Sequence, residues 1–123
     1  MSDVSFSTAL TTELRTRLDG NFEVIPEYES ASSSLDRVHD LVILEEGQIR
    51  LIFELEGGTD GFEDAKQELR KFYEKESGDE VFLLAVCSKE ELLVFDAENE
   101  IYSQQYTDDP VEKIAEDVVD LLE

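Results

Sequence analysis

Cysteine and long apolar runs are both scarce in this sequence. The single cysteine, Cys87, lies in an apolar run and is predicted to be a core residue. One cysteine excludes a disulfide within the chain and a cysteine-based zinc site, and it fits a reducing cytosol. No apolar stretch approaches the roughly 20 residues of a membrane-spanning helix, and the N-terminal "MSDVSFSTAL" has neither the basic nor the apolar region of a signal peptide. We therefore predict a cytoplasmic protein without a membrane segment.

Positive charge is also in short supply. Lysine and arginine number 10 against 32 aspartates and glutamates, so the formal net charge is −22. This balance argues against binding of free nucleic acid through a basic surface, because no basic patch is present to neutralise phosphates. Two origins of the acidity stay open. The acids are spread over every segment, as in halophilic proteins, whose charge repulsion is screened at high ionic strength; alternatively, the surface is acidic for a purpose, such as mimicking DNA phosphates.

The rest of the composition is that of a globular protein. Hydrophobic residues make up 41% of the 123 residues, which predicts a single domain spanning 1–123. The spacing of apolar residues predicts the element order α-β-β-β-α-β-β-α. The predicted segments are a helix over 5–18, strands over 22–28, 40–46 and 48–56, a helix over 61–75, strands over 81–87 and 91–97, and a C-terminal helix over 110–122. Residues 101–106 are a candidate for one more short edge strand.

The connections between these segments predict a fold class. A strand, helix, strand crossover through residues 48–87 should be right-handed and parallel, so we expect an α/β fold with a mixed sheet and helices packed on it. Gly47 should supply the positive φ of the hairpin turn that precedes this crossover. At the start of the last helix, Asp109 is predicted to be the cap, Pro110 to occupy the first turn and Glu112 to close a capping box.

Four carboxylates are placed where they could converge on one site. Asp40 opens one strand and Glu54 lies near the end of its hairpin partner, so antiparallel pairing should bring them close together. Glu54 and Glu56 project from the same face, roughly 7 Å apart along the strand. Glu13 borders the buried face of the first helix, where a carboxylate needs a cation or another partner. Phosphodiester cleavage uses a hard cation, held by such carboxylates, to activate water.

The element order, and the spacing of Asp40 from the run "ELE" at 54–56, resemble the PD-(D/E)XK, or restriction-endonuclease-like, nuclease fold. The helix after that strand, "DAKQELRKFY", also resembles the family's helix that often carries glutamine and tyrosine. The likeness covers about residues 5–96, the nuclease-like core. It implies cleavage of DNA that depends on Mg²⁺ or Mn²⁺, and it implies that the metal ligands are Glu13, Asp40 and Glu54.

The chain departs from this family at the motif lysine. Glu56 occupies that position, and a carboxylate does not orient the attacking water or stabilise charge as a cation would. Some family members carry the lysine on the following helix, where Lys66 lies on the inward edge and is the candidate. Arg50 is predicted to share a strand face with Glu54, four residues away. The implied catalytic positions are therefore Lys66 and Glu56, and we expect an inactive wild type.

Structural explanations exist for the same residues. Glu54 and Glu56 could form the solvated face of an edge strand, and Glu13 could pair with Arg17 one helical turn later. His39 is predicted to be a surface residue rather than a ligand, as is usual for a lone histidine before a strand.

Two functions from different classes follow from these patterns. The first is a nuclease-like domain related to magnesium-dependent DNA endonucleases and possessing a degenerate catalytic site. The alternative is an acidic interaction protein, such as a DNA mimic, an inhibitor or an immunity-type partner, that binds a basic surface of a nucleic-acid enzyme. The expected partners are DNA or a DNA-processing protein, with a second copy of the chain as a further candidate.

Overall fold

A computed structural model describes residues 4–29, 38–56, 60–76, 82–96, 98–107 and 110–123. Three helices and six strands lie within these ranges. The elements are α1 (Val4–Arg17), β1 (Phe22–Glu29), β2 (Val38–Glu45), β3 (Gln48–Leu55), α2 (Phe62–Glu76), β4 (Leu83–Cys87), β5 (Glu91–Phe95), β6 (Glu100–Gln105) and α3 (Val111–Leu122). The predicted order omitted β6 and was wrong by that one strand, whereas the candidate edge strand at 101–106 is confirmed.

The six strands form one mixed sheet in the order β1-β2-β3-β4-β5-β6. The β3 and β4 strands run parallel, with Leu51 opposite Leu83 and Leu55 opposite Cys87, and α2 connects them. All other neighbouring strands pair antiparallel. The predicted α/β class and the parallel crossover are therefore confirmed.

The β2–β3 hairpin closes through a two-residue turn. Glu46 has φ +52° and Gly47 has φ +83°. Positive φ at both central positions is the pattern of a type I′ turn, whose twist matches that of the flanking strands. Gly47 adopts this conformation at little steric cost because it has no Cβ. The predicted role of Gly47 is confirmed.

Helices cover both faces of the sheet. The α1 and α3 helices pack on one face, where Leu10 and Leu14 join Ile114 and Val118 over the buried residues of the strands. The α2 helix covers the other face with four buried side chains: Phe62, Ala65, Leu69 and Phe72. The β4 strand is apolar throughout because it is covered from both sides, and Cys87 is fully buried in the core, as predicted.

The start of α3 differs from the prediction. Pro110 is the N-cap residue, and it provides no side-chain hydrogen bond to the first turn. The predicted capping residue, Asp109, lies outside the described residues. The Pro110 carbonyl nevertheless accepts the first helical bond from Ile114 N–H at 2.7 Å. None of the three helices in the described ranges combines the length and the apolar character needed to cross a membrane.

Candidate functional site

The acids predicted at β2 and β3 meet at one end of the sheet. The β2–β3 ladder ends at the pair Leu41 and Phe53. Beyond this pair, the Asp40 side chain replaces the β2 main chain as the acceptor. Its Oδ2 accepts a hydrogen bond from Leu55 N–H at 2.8 Å. The Asp40 carboxylate therefore lies beside the peptide bond that joins Glu54 to Leu55, as the antiparallel pairing predicted.

Glu54 and Glu56 lie on the α2 side of the sheet. Ile52 packs under α2, and strand alternation puts residues 54 and 56 on the same face. Both glutamates are half-buried. The explanation that they form the face of an edge strand is wrong, because β3 lies between β2 and β4 inside the sheet. Glu56 N–H donates to the Cys87 carbonyl at 2.8 Å, so the parallel pairing continues one residue beyond β3.

Glu56 is in an environment that disfavours its charge. Burial raises the pKa of the Glu56 carboxyl above its usual 4.5, and the neighbouring charges of Asp40 and Glu68 raise it further. The residue just before α2 faces the same carboxylate: a Cβ added to Gly61 would lie 3.2 Å from Glu56 Oε2. The N-terminal end of α2 favours negative charge there, which offsets part of the repulsion.

Glu13, the third predicted ligand, makes a different contact. Its Oε2 accepts a hydrogen bond from Arg17 Nε at 3.2 Å, one helical turn later, which confirms the structural explanation given for this residue. Glu13 also lines a cleft of about 800 Å³ between α1 and α3, together with Lys89 and Glu112. Lys89 follows β4 closely, so this cleft opens at the same end of the sheet as Asp40.

Lys66, the predicted catalytic lysine, contacts β6. Its Nζ donates to Glu100 Oε1 on β6 at 3.0 Å and lies 3.8 Å from Glu63 Oε2. The Lys66 side chain is only 12% exposed. Glu100 lies on β6, which is three strands away from the strand that carries Glu54. The structure does not bring Lys66 to the acids.

Two other predictions about neighbouring residues are wrong. His39 is fully buried in β2 and packs edge-on against the ring of Phe72, with 4.6 Å between ring centroids. Arg50 does not share a face with Glu54: its guanidinium pairs with Glu45 and donates to the Leu122 carbonyl of α3 at 3.4 Å. The reason is a register shift in the β2–β3 ladder, which changes the alternation before residue 51.

The three predicted metal ligands lie in two different places. Within the described ranges, no three histidine, cysteine, aspartate or glutamate side chains form a group that could hold a metal ion. The structure brings Asp40, Glu54 and Glu56 to one end of the sheet. It leaves Glu13 with Arg17 and Lys66 with Glu100.

A second polar cluster, between β6 and α3, was not predicted from the sequence. Tyr106 O–H donates to Asp117 Oδ2 at 2.6 Å. Burial and this carboxylate raise the pKa of the Tyr106 phenol above its usual value. The pair borders a cleft of about 510 Å³ that is also lined by Tyr102 and Glu116. No spacing pattern connects a residue just after a strand to one eleven positions later in a helix, so sequence periodicity could not reveal this pair.

Comparison with known proteins adds no named relative. No protein-family model matches the chain, and a search of curated proteins finds no match.

Proposed function

We propose that this chain is a nuclease-like α/β domain that does not cleave DNA and that binds the basic surface of a nucleic-acid-processing protein. One observation supports this proposal above the others. The Lys66 ammonium, which would have to replace the lost motif lysine, lies 3.0 Å from Glu100 on β6 and not beside the acids of β3.

The nuclease-like part of the proposal is supported by the placement of the acids. Asp40 is near the start of β2, and Glu54 is near the end of β3, which runs parallel to β4 after a helical crossover. This is the arrangement of acids that the resemblance to the PD-(D/E)XK family implies. The cleft that contains Glu13 opens at the same end of the sheet.

The loss of hydrolysis follows from the chemistry of the reaction. Cleavage of a phosphodiester needs a metal ion to activate water and positive charge to offset the charge that builds up in the transition state. Asp40 is already engaged by Leu55 N–H. Glu56 adds a carboxylate where the family has a cation, and burial, with smaller contributions from the charges of Asp40 and Glu68, raises the pKa of that carboxyl. These groups destabilise a bound phosphate rather than stabilise it.

The binding part of the proposal is supported by charge. The net charge is −22, and exposed acids lie on both layers of helices. The α2 helix exposes Glu63, Asp64 and Glu74, and α3 exposes Glu112, Glu116 and Asp120. A surface of this kind attracts a basic protein surface and speeds the encounter of the two proteins.

A second candidate, an active metal-dependent nuclease, is favoured by one observation. Lys89 lines the same cleft as Glu13, at the end of the sheet where Asp40 lies. A lysine there supplies positive charge beside Glu13, in place of Lys66. This candidate makes a distinct prediction, because its activity would depend on Lys89 and not on Lys66.

Both candidates are tested by nicking of supercoiled DNA with Mg²⁺ or Mn²⁺, at a KCl concentration that keeps the chain folded. We expect no nicking by the wild type. Glu56→Lys tests whether one substitution restores the family pattern. If the wild type nicks DNA, Lys89→Ala and Lys66→Ala identify the cation, since removing a catalytic group typically costs about 10²–10⁴-fold in rate. Nicking that is abolished by Asp40→Asn would overturn the proposal.

The binding part has its own measurement. The wild type should displace a short fluorescent DNA duplex from core histones, which present a basic DNA-binding surface. Displacement should weaken as KCl is raised, because ionic contacts are screened. A wild type that neither nicks DNA nor displaces the duplex would contradict the proposed function as a whole.

A further inference from the structure

The two edges of the sheet differ sharply in how they are protected. Edge strands present unpaired main-chain groups, and proteins usually blunt them with charge, proline or irregular backbone. The β1 edge carries all three devices: exposed Glu23, Pro26 and Glu27, the last with φ +51°. The β6 edge carries neither charge nor proline over residues 101–105, "IYSQQ". Its register with β5 shifts at Ile101, and over residues 102–105 the pairing is regular. In a chain with 34% charged residues, an uncharged exposed edge is a distinct feature.

The pairing of β6 with β5 determines which main-chain groups of β6 face outward. Tyr106 N–H donates to the Glu90 carbonyl at 2.8 Å, so Tyr106 faces β5. In an antiparallel ladder, residues two apart face the same way. Gln104 and Tyr102 therefore also face β5, and the N–H and C=O groups of Ser103 and Gln105 point away from the sheet. Among the described strands, β6 has β5 as its one neighbour.

The side chains beside this edge add a second feature. Tyr102 and Gln104 of β6 line the cleft of about 510 Å³ together with Glu116 and Asp117 of α3; Lys113 lies at the same cleft. Tyr102 is half-buried there, and Ile101, at 47% exposure, is the one exposed large hydrophobic residue among the described ones. Carboxylates beside aromatic rings bind the ammonium or guanidinium group of a lysine or arginine.

We infer that the β6 edge binds an extended basic segment of the partner protein, which adds a strand to the sheet and places a lysine or arginine side chain in the cleft beside Tyr102 and Glu116. Strand addition uses the outward N–H and C=O of Ser103 and the outward N–H of Gln105 for affinity, and the cleft for side-chain preference. The Gln105 C=O accepts a hydrogen bond from Gln104 Nε2 at 3.1 Å. This inference rests on the proposed function, because it takes the partner to be a basic protein. Beyond the proposed function, it specifies that the partner binds at the β6 edge and in an extended conformation.

Charge favours a basic segment over a second copy of the chain. Pairing of β6 with another β6 would bring two chains of net charge −22 together and would supply no basic residue to the cleft. A lysine-bearing strand has the opposite charge and supplies a basic residue to the cleft. It brings positive charge to the cleft that Glu116 and Asp117 line, and it forms hydrogen bonds with the outward main-chain groups of the edge.

The test is the binding of a fluorescent octapeptide of alternating lysine and valine, measured by anisotropy. Ser103→Pro removes one outward N–H, and the β5 ladder should keep its bonds, since proline is tolerated at such edge positions. We expect Ser103→Pro to weaken binding by about tenfold, whereas Ser103→Ala, which keeps the main-chain N–H, should bind as the wild type does. Equal binding by these two variants would overturn strand addition.

The cleft is tested separately by charge-matched variants. Glu116→Gln should weaken binding of the lysine peptide several-fold, as expected for an ionic contact. Glu112→Gln, which removes the same charge from the same helix but lines the cleft beside α1, should have little effect. Equal losses in both variants would mean diffuse attraction to an acidic protein and would overturn the cleft assignment.

Three further measurements test the β6 site. If Ser103→Pro fails to fold, the wild type should still discriminate against a peptide N-methylated at alternate residues. Light scattering should show a monomer; a dimer that Ser103→Pro dissociates would mean that a second copy occupies β6, which would overturn the inference. If Ser103→Pro displaces DNA from core histones as well as the wild type does, the proposed function stands and the β6 site is wrong.

Discussion

The Asp40 carboxylate extends the β2–β3 ladder by one hydrogen bond, to Leu55. Its Oδ2 accepts a hydrogen bond from Leu55 N–H at 2.8 Å, at the point where main-chain pairing between the two strands has ended. Leu55 is buried, with 3% exposure, so water does not replace Asp40 as the acceptor for its N–H. Asp40, which is predicted from the sequence to be a metal ligand, thus also has a structural role.

Asp40→Ala should destabilise the fold by about 1–3 kcal/mol, because a buried donor loses its acceptor. Relief of the repulsion with Glu56 offsets part of this loss. Asp40→Asn keeps an acceptor oxygen and should cost less. Urea unfolding measures the difference, and Asp64→Ala, at an exposed acid of α2, controls for the change in net charge. Equal midpoints for Asp40→Ala and Asp64→Ala would contradict the structural role.

Glu56→Gln should stabilise the protein at neutral pH by about 1 kcal/mol or less. The pKa of Glu56 in the folded state is raised above 4.5, so the folded state binds this proton more tightly than the unfolded state does. The charged form of Glu56 therefore lowers the free energy of unfolding by its full amount above the folded pKa. This loss disappears as pH falls towards 4.5. Wild type and Glu56→Gln should converge in stability at acidic pH. Urea midpoints across pH measure this, with Glu74→Gln as an exposed control on α2.

The Lys66–Glu100 pair should contribute to stability through coupling between α2 and β6. A double-mutant cycle with Lys66→Met and Glu100→Gln isolates the interaction. We expect a coupling free energy of about 1 kcal/mol, at the upper end for surface pairs, because the Lys66 side chain is only 12% exposed. The coupling should shrink in molar KCl. Additive effects of the two substitutions would show that Lys66 is available for another role.

The melting temperature should climb steeply from low to molar KCl. A net charge of −22 repels itself in the folded state, and the distance over which charges interact falls from about 30 Å at 0.01 M salt to about 3 Å at 1 M. Choline chloride at equal ionic strength should act in the same way if screening is the cause. A flat profile would count against salt adaptation and would leave functional acidity as the explanation.

The sequence determined the local structure because periodicity is a local property. Apolar spacing near 3.6 residues marked all three helices, and alternating or continuous apolar runs marked the strands. Gly47 indicated the hairpin turn, and the helical segment between two strands indicated the parallel pair β3 and β4. The one omitted strand, β6, is polar and pairs along one edge in the described sheet, so it has little apolar pattern to detect.

The partners of the polar side chains were decided by the tertiary structure. Lys66 and Glu100 are 34 positions apart, and only the path of α2 across the sheet brings them together. A register shift in the β2–β3 ladder turned Arg50 towards α3, and packing against Phe72 buried His39. Burial of apolar area sets which face of each element points inward. It does not set which charged group an inward-edge lysine or a strand-end aspartate meets, because that depends on strand order, register and side-chain direction.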